Sequence, residues 1–343
     1  MKEDELHESG EELYEHHRFV ADAGQNPLRI DKFLFNLLGN TSRNKIQEAG
    51  RSGSLRVNSK VVKANYRVKA GDVVQVVLAH PPREIELIAE DIPLDILYED
   101  EDVCVLNKQA GMVVHPAYGH YSGTLVNALL HHMNSLPQVK EHERPGLVHR
   151  LDKDTSGVMV VALNDYALSH LSRQFFERST DRMYTALVWG DVKEDEGRIE
   201  GNIGRSLQDR KQMAVFPDGN MGKHAVTHYR VLERFGFTTL VECRLETGRT
   251  HQIRVHMKFA GHTLFGDERY GGNKILKGLN TAKYKQFIQN CFELMPHQAL
   301  HARTLGISHP KTEKRLSFHT ELPTAFEALC AKWRTYSSAL STD

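Results

Sequence analysis

The sequence predicts an α+β chain in two parts: a small basic module of two helices and a β ribbon, then a larger domain. That domain should hold a mixed, largely antiparallel sheet with flanking helices. Charge segregation, a switch from helical to alternating hydrophobic periodicity, and the irregular order of the later strands predict this. The chain has 343 residues, 40% of them hydrophobic, enough for one large domain plus a small one. Its 44 basic and 44 acidic residues balance overall but not locally. Residues 1–26 carry eight acidic residues against two basic ones, residues 27–78 ten basic against three acidic, and residues 81–102 nine acidic against one basic. A basic module between acidic stretches fits a polyanion-binding face, although solvated surface charge is the plainer alternative.

Residues 1–26 read as a flexible acidic tail. Leu28, Ile30, Phe33, Leu34, Leu37 and Leu38 recur at helical spacing. Asn40-Thr41-Ser42 offers a helix cap, and 43–49 reads as a second short helix. Residues 55–62 read as two short strands about a turn, and Val73–Leu78 as a third after the Ala70-Gly71-Asp72 turn. The module therefore spans 27–80, and Pro81-Pro82 opens an acidic linker to residue 96. Over 97–335, strands are expected at 103–106, 158–163, 184–189, 225–232 and 238–245, and helices at 124–132, 166–178 and 253–260. This order is not a βαβα alternation, hence α+β rather than a parallel sheet. Residues 336–343 read as a tail, and 272–295 as a helical insertion near the active-site side.

Composition excludes several classes. No apolar run approaches the roughly 18 residues of a membrane span, and the acidic start is unlike a signal sequence. The four cysteines are scattered, as in a reducing compartment, so the chain reads as cytoplasmic and monomeric. Phosphate-cradling glycine loops are absent, which argues against nucleotide cofactors. His297-Gln298-Ala299-Leu300-His301 imitates zinc-helix spacing but lacks a glutamate base and a third ligand, so neither metal nor cofactor is expected.

Three segments carry candidate chemistry. In His149-Arg150-Leu151-Asp152-Lys153-Asp154-Thr155-Ser156-Gly157, Asp152 lies between two cations on a loop entering a strand. Flanking Arg150 and Lys153 would depress its pKa and ready it as nucleophile or base. An ordinary ion pair holding a turn is the alternative. In Thr247–His256 a strand runs through a glycine turn into a helix, with Arg249 and Arg254 placed to hold an anion or a carboxylate; a capped helix with surface arginines is the alternative. Tyr184 stands on an alternating strand beside Arg182 and is either a packing aromatic or a stacking platform and proton acceptor.

In this order, with Asn107-Lys108, Gly123–Leu130, Gly222–Thr227 and His309-Pro310, these segments resemble the RluA family of RNA pseudouridine synthases over about residues 95–325. Residues 27–78 resemble an S4 RNA-binding module through Arg29–Leu34, Ser42-Arg43, Val57-Asn58 and Gly71-Asp72. The resemblance implies isomerisation of uridine to pseudouridine, with large-subunit (23S) ribosomal RNA or a precursor particle as partner. Asp152 would be the essential carboxylate, Arg254 its ion partner, and Tyr184 the residue that stacks on the flipped base and accepts its C5 proton. Arg150 would help extrude the nucleotide. His149, Lys153, Arg249 and His251, with Arg29, Lys32, Ser42, Arg43, Lys45 and Asn58 in the module, would contact RNA. Gln109, Arg182 and Ser59 depart from the family's usual proline, lysine and glycine, which puts local turn geometry in question. Attack at C1′ and abstraction at C2′ both remain open for Asp152. A non-catalytic RNA-binding protein is the runner-up, and a zinc hydrolase a distant third.

Overall fold

The computed structural model describes residues 13–24, 26–38, 41–79, 87–116, 120–133, 146–209 and 211–340. It divides into two compact units, 1–86 and 87–343.

The first unit runs β1 (Tyr14–Val20), β2 (Leu28–Arg29), α1 (Ile30–Leu37), α2 (Arg43–Arg51), β3 (Leu55–Val57), β4 (Lys60–Val61), β5 (Arg67–Val68) and β6 (Val73–Leu78). Here the acidic-tail reading is corrected for its described part. Tyr14–Val20 forms an edge strand antiparallel to β6, with Tyr14 opposite Leu78 and Val20 opposite Val73. Residues 1–12 lie outside the described residues. The apolar stripe of α1 packs Ile30, Phe33 and Leu34 against Ile46, Leu55, Val57 and Val74, as its spacing requires. Ser42, rather than Asn40, caps α2 by accepting from the Lys45 backbone N–H at 3.3 Å; Asn40 is outside the described residues.

Asn58 and Ser59 join β3 to β4, both left-handed at φ 49° and 66°. The departure at Ser59 is therefore a strained one: a left-handed L-residue costs roughly 1–2 kcal/mol, which glycine avoids at some entropic cost. Ser59→Gly is expected to stabilise the unit by up to about 1 kcal/mol in denaturant titrations.

The second unit begins earlier than expected, because the acidic linker is part of it from residue 87. Glu90 accepts from the Gly123 N–H at 3.0 Å, and the Asn127 amide donates to the Ile88 carbonyl at 2.7 Å. Its elements are β7 (Ile96–Glu99), β8 (Val103–Lys108), α3 (Leu125–His132), β9 (Ser156–Ala162), α4 (Asp165–Glu177), β10 (Asp181–Trp189), β11 (Glu196–Glu200), β12 (Asn202–Arg205), β13 (Met213–Phe216), β14 (Val226–Arg234), β15 (Thr238–Leu245), α5 (Gln252–Phe259), α6 (Ala282–Leu294), β16 (Leu300–Ser308), β17 (Arg315–His319) and α7 (Thr324–Leu340). Residues 336–340 of the expected C-terminal tail are instead the last turns of α7, whose Tyr336 ring stacks on Phe287 at 4.4 Å, and 341–343 lie outside the described residues.

Nine strands form one sheet in the order β11-β14-β15-β10-β16-β9-β8-β7, with β17 also on β16. Every pairing is antiparallel except that of β9 with β16. The sheet is two antiparallel halves, β7-β8-β9 and β10-β15-β14-β11, joined by β16 between them. At this seam Ala302 of β16 lies opposite Gly157 on one side and Tyr184 on the other. Gly157, at φ 119°, has no room for a side chain, since a Cβ would stand 2.2 Å from the Ala302 carbonyl oxygen. One face of the sheet is covered by α3 and α5 over Leu106, Tyr184, Val241 and Cys243. Elsewhere α4 packs on Val158 and Val160, and α6 with α7 encloses Trp189, Phe265 and Trp333. The 272–295 segment thus contributes a helix, as expected, and that helix packs into the core. No helix among the described residues is long and apolar enough to cross a membrane.

Candidate active site

Asp152 lies on the loop that enters β9, and its backbone carbonyl accepts from the Thr155 N–H at 3.1 Å to close the turn. Below the loop, Lys108 at the end of β8 is buried and donates to three carbonyls, of Gln109, Met112 and Lys153, at 2.7–2.9 Å. Burial pushes its pKa down to about 7, against the pull of Asp154 and Asp152. This lysine ties the loop to the strand beside it.

The cation at Asp152 is not a sequence neighbour. Arg150 and Lys153 are both exposed, and neither is its ion-pair partner. Arg254, on the first turn of α5, donates from Nη1 to Asp152 Oδ2 at 2.8 Å. Its Nε and Nη2 fork onto Asp267 at 2.6 and 2.8 Å. One guanidinium therefore spans two carboxylates, Asp152 partly exposed at 19% and Asp267 at 0%. Against burial, the two carboxylates hold the Arg254 pKa above its already high ordinary value.

The turn before α5 is built by Gln252. Its Oε1 accepts from the Thr247 hydroxyl and the Arg249 N–H at 2.7 and 3.0 Å, while its amide donates to the Val226 carbonyl at 2.9 Å. His251 caps the helix in a left-handed conformation, φ 56°, and its Nε2 stands 3.8 Å from Asp152 Oδ2. Burial drives its pKa down to about 4, so it is neutral near pH 7. Arg249 is anchored to the His224 carbonyl at 3.0 Å. Tyr184, on β10, is 9% exposed. Burial raises its phenol pKa, partly countered by Arg182.

Six of the expected residues, Arg150, Asp152, Tyr184, Arg249, His251 and Arg254, line one cleft of about 60 Å³ together with Leu151, Thr155, Leu245 and Ile253. A roomier groove of about 460 Å³ lies over β10, β11, β14 and β15, but its Arg230 is paired with Glu242 and it holds none of these residues.

Two of the expected RNA-contacting residues are engaged within the protein. His149 stacks on Phe175 with ring centroids 4.6 Å apart, and its Nε2 accepts from the Val160 N–H at 3.1 Å. Burial drives its pKa down to about 3, so it is a neutral prop under the loop. In the first unit the exposed Asn58 donates from its amide to Asp72 and accepts at its carbonyl from Val73 N–H, both at 2.9 Å, which closes the turn. Arg29 and Arg43 both bond Asp31 at 3.0 Å but remain nearly half exposed, while Lys32 and Lys45 are exposed on the same two helices. His301 falls on β16 rather than a helix, bonded to Ser156 and Thr320 hydroxyls at 2.8 and 2.9 Å, so the zinc-helix spacing is coincidental. Asp100, Asp102 and His309 also cluster, but His309 Nδ1 accepts from the Lys311 and Thr312 N–H groups and its Nε2 donates to Asp100. That group is satisfied as a turn lock.

Burial alone would raise the Asp31 pKa, yet hydrogen bonds from Arg29, Gln47 and Arg43 hold it well below the usual carboxylate range. A depressed folded-state pKa means that this stabilisation is complete above the unfolded value, about 4, and is lost as pH falls beneath it. Denaturant titrations should show the first unit losing stability below about pH 4, and Asp31→Asn should flatten that loss.

Residues 102–259 match the RNA pseudouridylate synthase family and residues 28–74 the S4 domain. An uncharacterized RNA pseudouridine synthase of Chlorobaculum parvum is 49% identical, over 92% of this chain and 97% of that protein. The chain belongs to the RluA family of RNA pseudouridine synthases. Like other RNA pseudouridine synthases it is an isomerase, here with an S4 domain ahead of the catalytic domain. The ribosomal large subunit pseudouridine synthase D of Pseudomonas aeruginosa is 43% identical, over 87% of this chain and 89% of that protein. Among solved structures, human RNA pseudouridylate synthase domain containing 4 aligns at a TM-score of 0.53 and 26% identity, over 70% of this chain and 93% of that one.

The residues that sequence reasoning missed are Asp267, Tyr270, Gln252 and Lys108. Asp267 had one visible signal, an Asp three residues before Tyr270 in a glycine-flanked turn, where it caps a short 3₁₀ helix, Glu268–Tyr270.

Proposed function

We propose that this enzyme converts particular uridines of large-subunit ribosomal RNA to pseudouridine, with Asp152 as the essential carboxylate. The observation that carries the reading is the Asp152–Arg254 pair held in one cleft with Tyr184. The large-subunit substrate rests on relatives such as the Pseudomonas aeruginosa protein.

The reaction breaks N1–C1′, turns the uracil and joins C5 to C1′, so nothing external need be added. The base must leave its stack, at a cost of a few kcal/mol, and exposed Arg150 at the cleft edge is placed to fill the gap. Arg254 holds one oxygen of Asp152 and leaves the other for the ribose, at C1′ or the C2′ hydrogen. Tyr184, kept protonated by burial, serves better as the surface on which the base stacks. Taking up the C5 proton would require help from the nearby Arg182 charge. Arg249 and His251 offer donors to the extruded nucleotide.

The assay is tritium release from ribosomal RNA labelled at uridine C5, joined to mapping of pseudouridine in cells with and without the protein. Release from large-subunit RNA, and sites lost from that RNA on deletion, support the reading; an unchanged map overturns the substrate. The S4 domain should supply affinity through Lys32 and Lys45. Replacing both by alanine is expected to weaken RNA binding and lower the slope of log affinity against log salt by about 2, with single-turnover rate nearly unchanged.

A further inference from the structure

Hydrogen-bond donors behind the cleft fix which nitrogen of His251 carries its hydrogen. The Tyr270 hydroxyl is buried and has two polar neighbours. The Met213 backbone N–H donates to it at 3.0 Å, and His251 Nδ1 lies 2.8 Å away. Since Met213 already supplies a hydrogen to the phenol oxygen, the phenol's own hydrogen goes to Nδ1. The opposite tautomer would aim two donors at one oxygen and leave the phenol hydrogen with no acceptor among the described residues. Nδ1 is therefore an acceptor, and the imidazole hydrogen sits on Nε2. The ring cannot turn away easily: it meets the Tyr270 ring edge-on at 5.7 Å and 87°. Tyr270 is itself held by its N–H to Asp267 at 3.1 Å and by the Arg254 guanidinium 5.1 Å over its ring.

The Nε2–H faces the cleft. At 3.8 Å from Asp152 Oδ2 it is too far for a hydrogen bond, so the carboxylate does not consume it. A carboxylate set against C1′ or C2′ of a ribose puts a donor at this distance beside the 2′-oxygen, which is bonded to C2′. We propose that Tyr270 locks His251 as the Nε2–H tautomer, and that His251 donates to the 2′-hydroxyl oxygen of the target nucleotide and selects ribose over deoxyribose. The proposal rests on Asp152 being the group that addresses the ribose. The 2′-hydroxyl is the feature by which a protein tells RNA from DNA at one residue, and a site built to bond a hydroxyl rejects the analogue that lacks it.

The test uses the full-length enzyme and a stem–loop RNA carrying the uridine mapped as its target, with ribose or 2′-deoxyribose at that one position. Deoxyribose also changes the intrinsic lability of the glycosidic bond, but equally for every variant, so the readout is the change in the ribose-to-deoxyribose rate ratio. Wild type should favour ribose by on the order of tenfold, the effect of one hydrogen bond. Tyr270→Phe should lower kcat on the ribose substrate about tenfold, the effect of one hydrogen bond, with KM unchanged, and should collapse most of the discrimination. His251→Ala should do the same, and His251→Gln, which keeps an N–H donor, should restore part of it. Nitrogen-15 spectra of histidine-labelled wild type, with His251 assigned by its loss in His251→Gln, should show the hydrogen on Nε2. A hydrogen on Nδ1, or an undiminished ratio in both Tyr270→Phe and His251→Ala, overturns the proposal. Activity in Asp152→Asn would instead overturn the catalytic reading beneath it.

Discussion

Replacing Asp152 with asparagine is expected to lower turnover at least about 10⁴-fold, the scale of losing an essential nucleophile or base, while leaving fold and RNA binding intact. The asymmetry of the Arg254 bridge is the reason. Asparagine keeps the shape of Asp152, and the loop turn is closed by its backbone carbonyl. Arg254 loses one partner but keeps its fork on Asp267, so no buried charge is left alone. Stability should change by no more than about 1 kcal/mol, and RNA affinity should hold or rise slightly as one negative charge leaves the cleft. The measurement is single-turnover tritium release beside equilibrium binding; near-normal release by the variant would remove Asp152 from the chemistry.

Arg254→Met should behave differently, because it strands Asp267, which is fully buried. Breaking a buried pair from one side costs about 3–5 kcal/mol, and for a domain of this size that lowers Tm by on the order of 10 °C. Turnover should fall further than the unfolded fraction explains, since Asp152 is then neither oriented nor paired. Arg254→Lys should be intermediate in stability, because one ammonium cannot reproduce the three-point geometry that serves both carboxylates. Melting and activity measured together separate the two losses. A methionine variant as stable as wild type would show that Asp267 has another partner.

Local patterns carried much of the fold, and spatial neighbours carried the rest. The stripe Ile30, Phe33, Leu34 is a property of one helix and was legible in the sequence, as were the short strands and the mixed order that led to an α+β domain. Strand β1 was not, because its composition is that of a charged tail and its partner β6 lies far along the chain. The same holds in the site. Arg150 and Lys153 flank Asp152 in sequence, yet a loop turning into a strand sends them outward, and the true partner arrives on α5. The local reading singled out Arg254 as a holder of an anion or carboxylate, but only the resemblance paired it with Asp152. His149 looked like part of a basic loop until its stacking on Phe175 and its bond to the Val160 N–H were visible. Asp267 was silent because an isolated aspartate in a turn has many ordinary uses, and only the fork with Arg254 sets this one apart.

The place of β16 has a consequence for when the enzyme can become active. Asp152 belongs to the half-sheet that ends at β9, whereas Tyr184 and Arg254 belong to the half built on β10 and β15. Each half is a run of antiparallel neighbours that can form as its own segment leaves the ribosome. Their union waits for Leu300–Ser308, near the end of the chain. At 5–20 residues per second, β16 is made roughly 8–30 seconds after Asp152. Closure of the seam is a contact of long sequence separation and therefore slow to form, so the Asp152 loop and the Arg254 helix are expected to meet only late in folding.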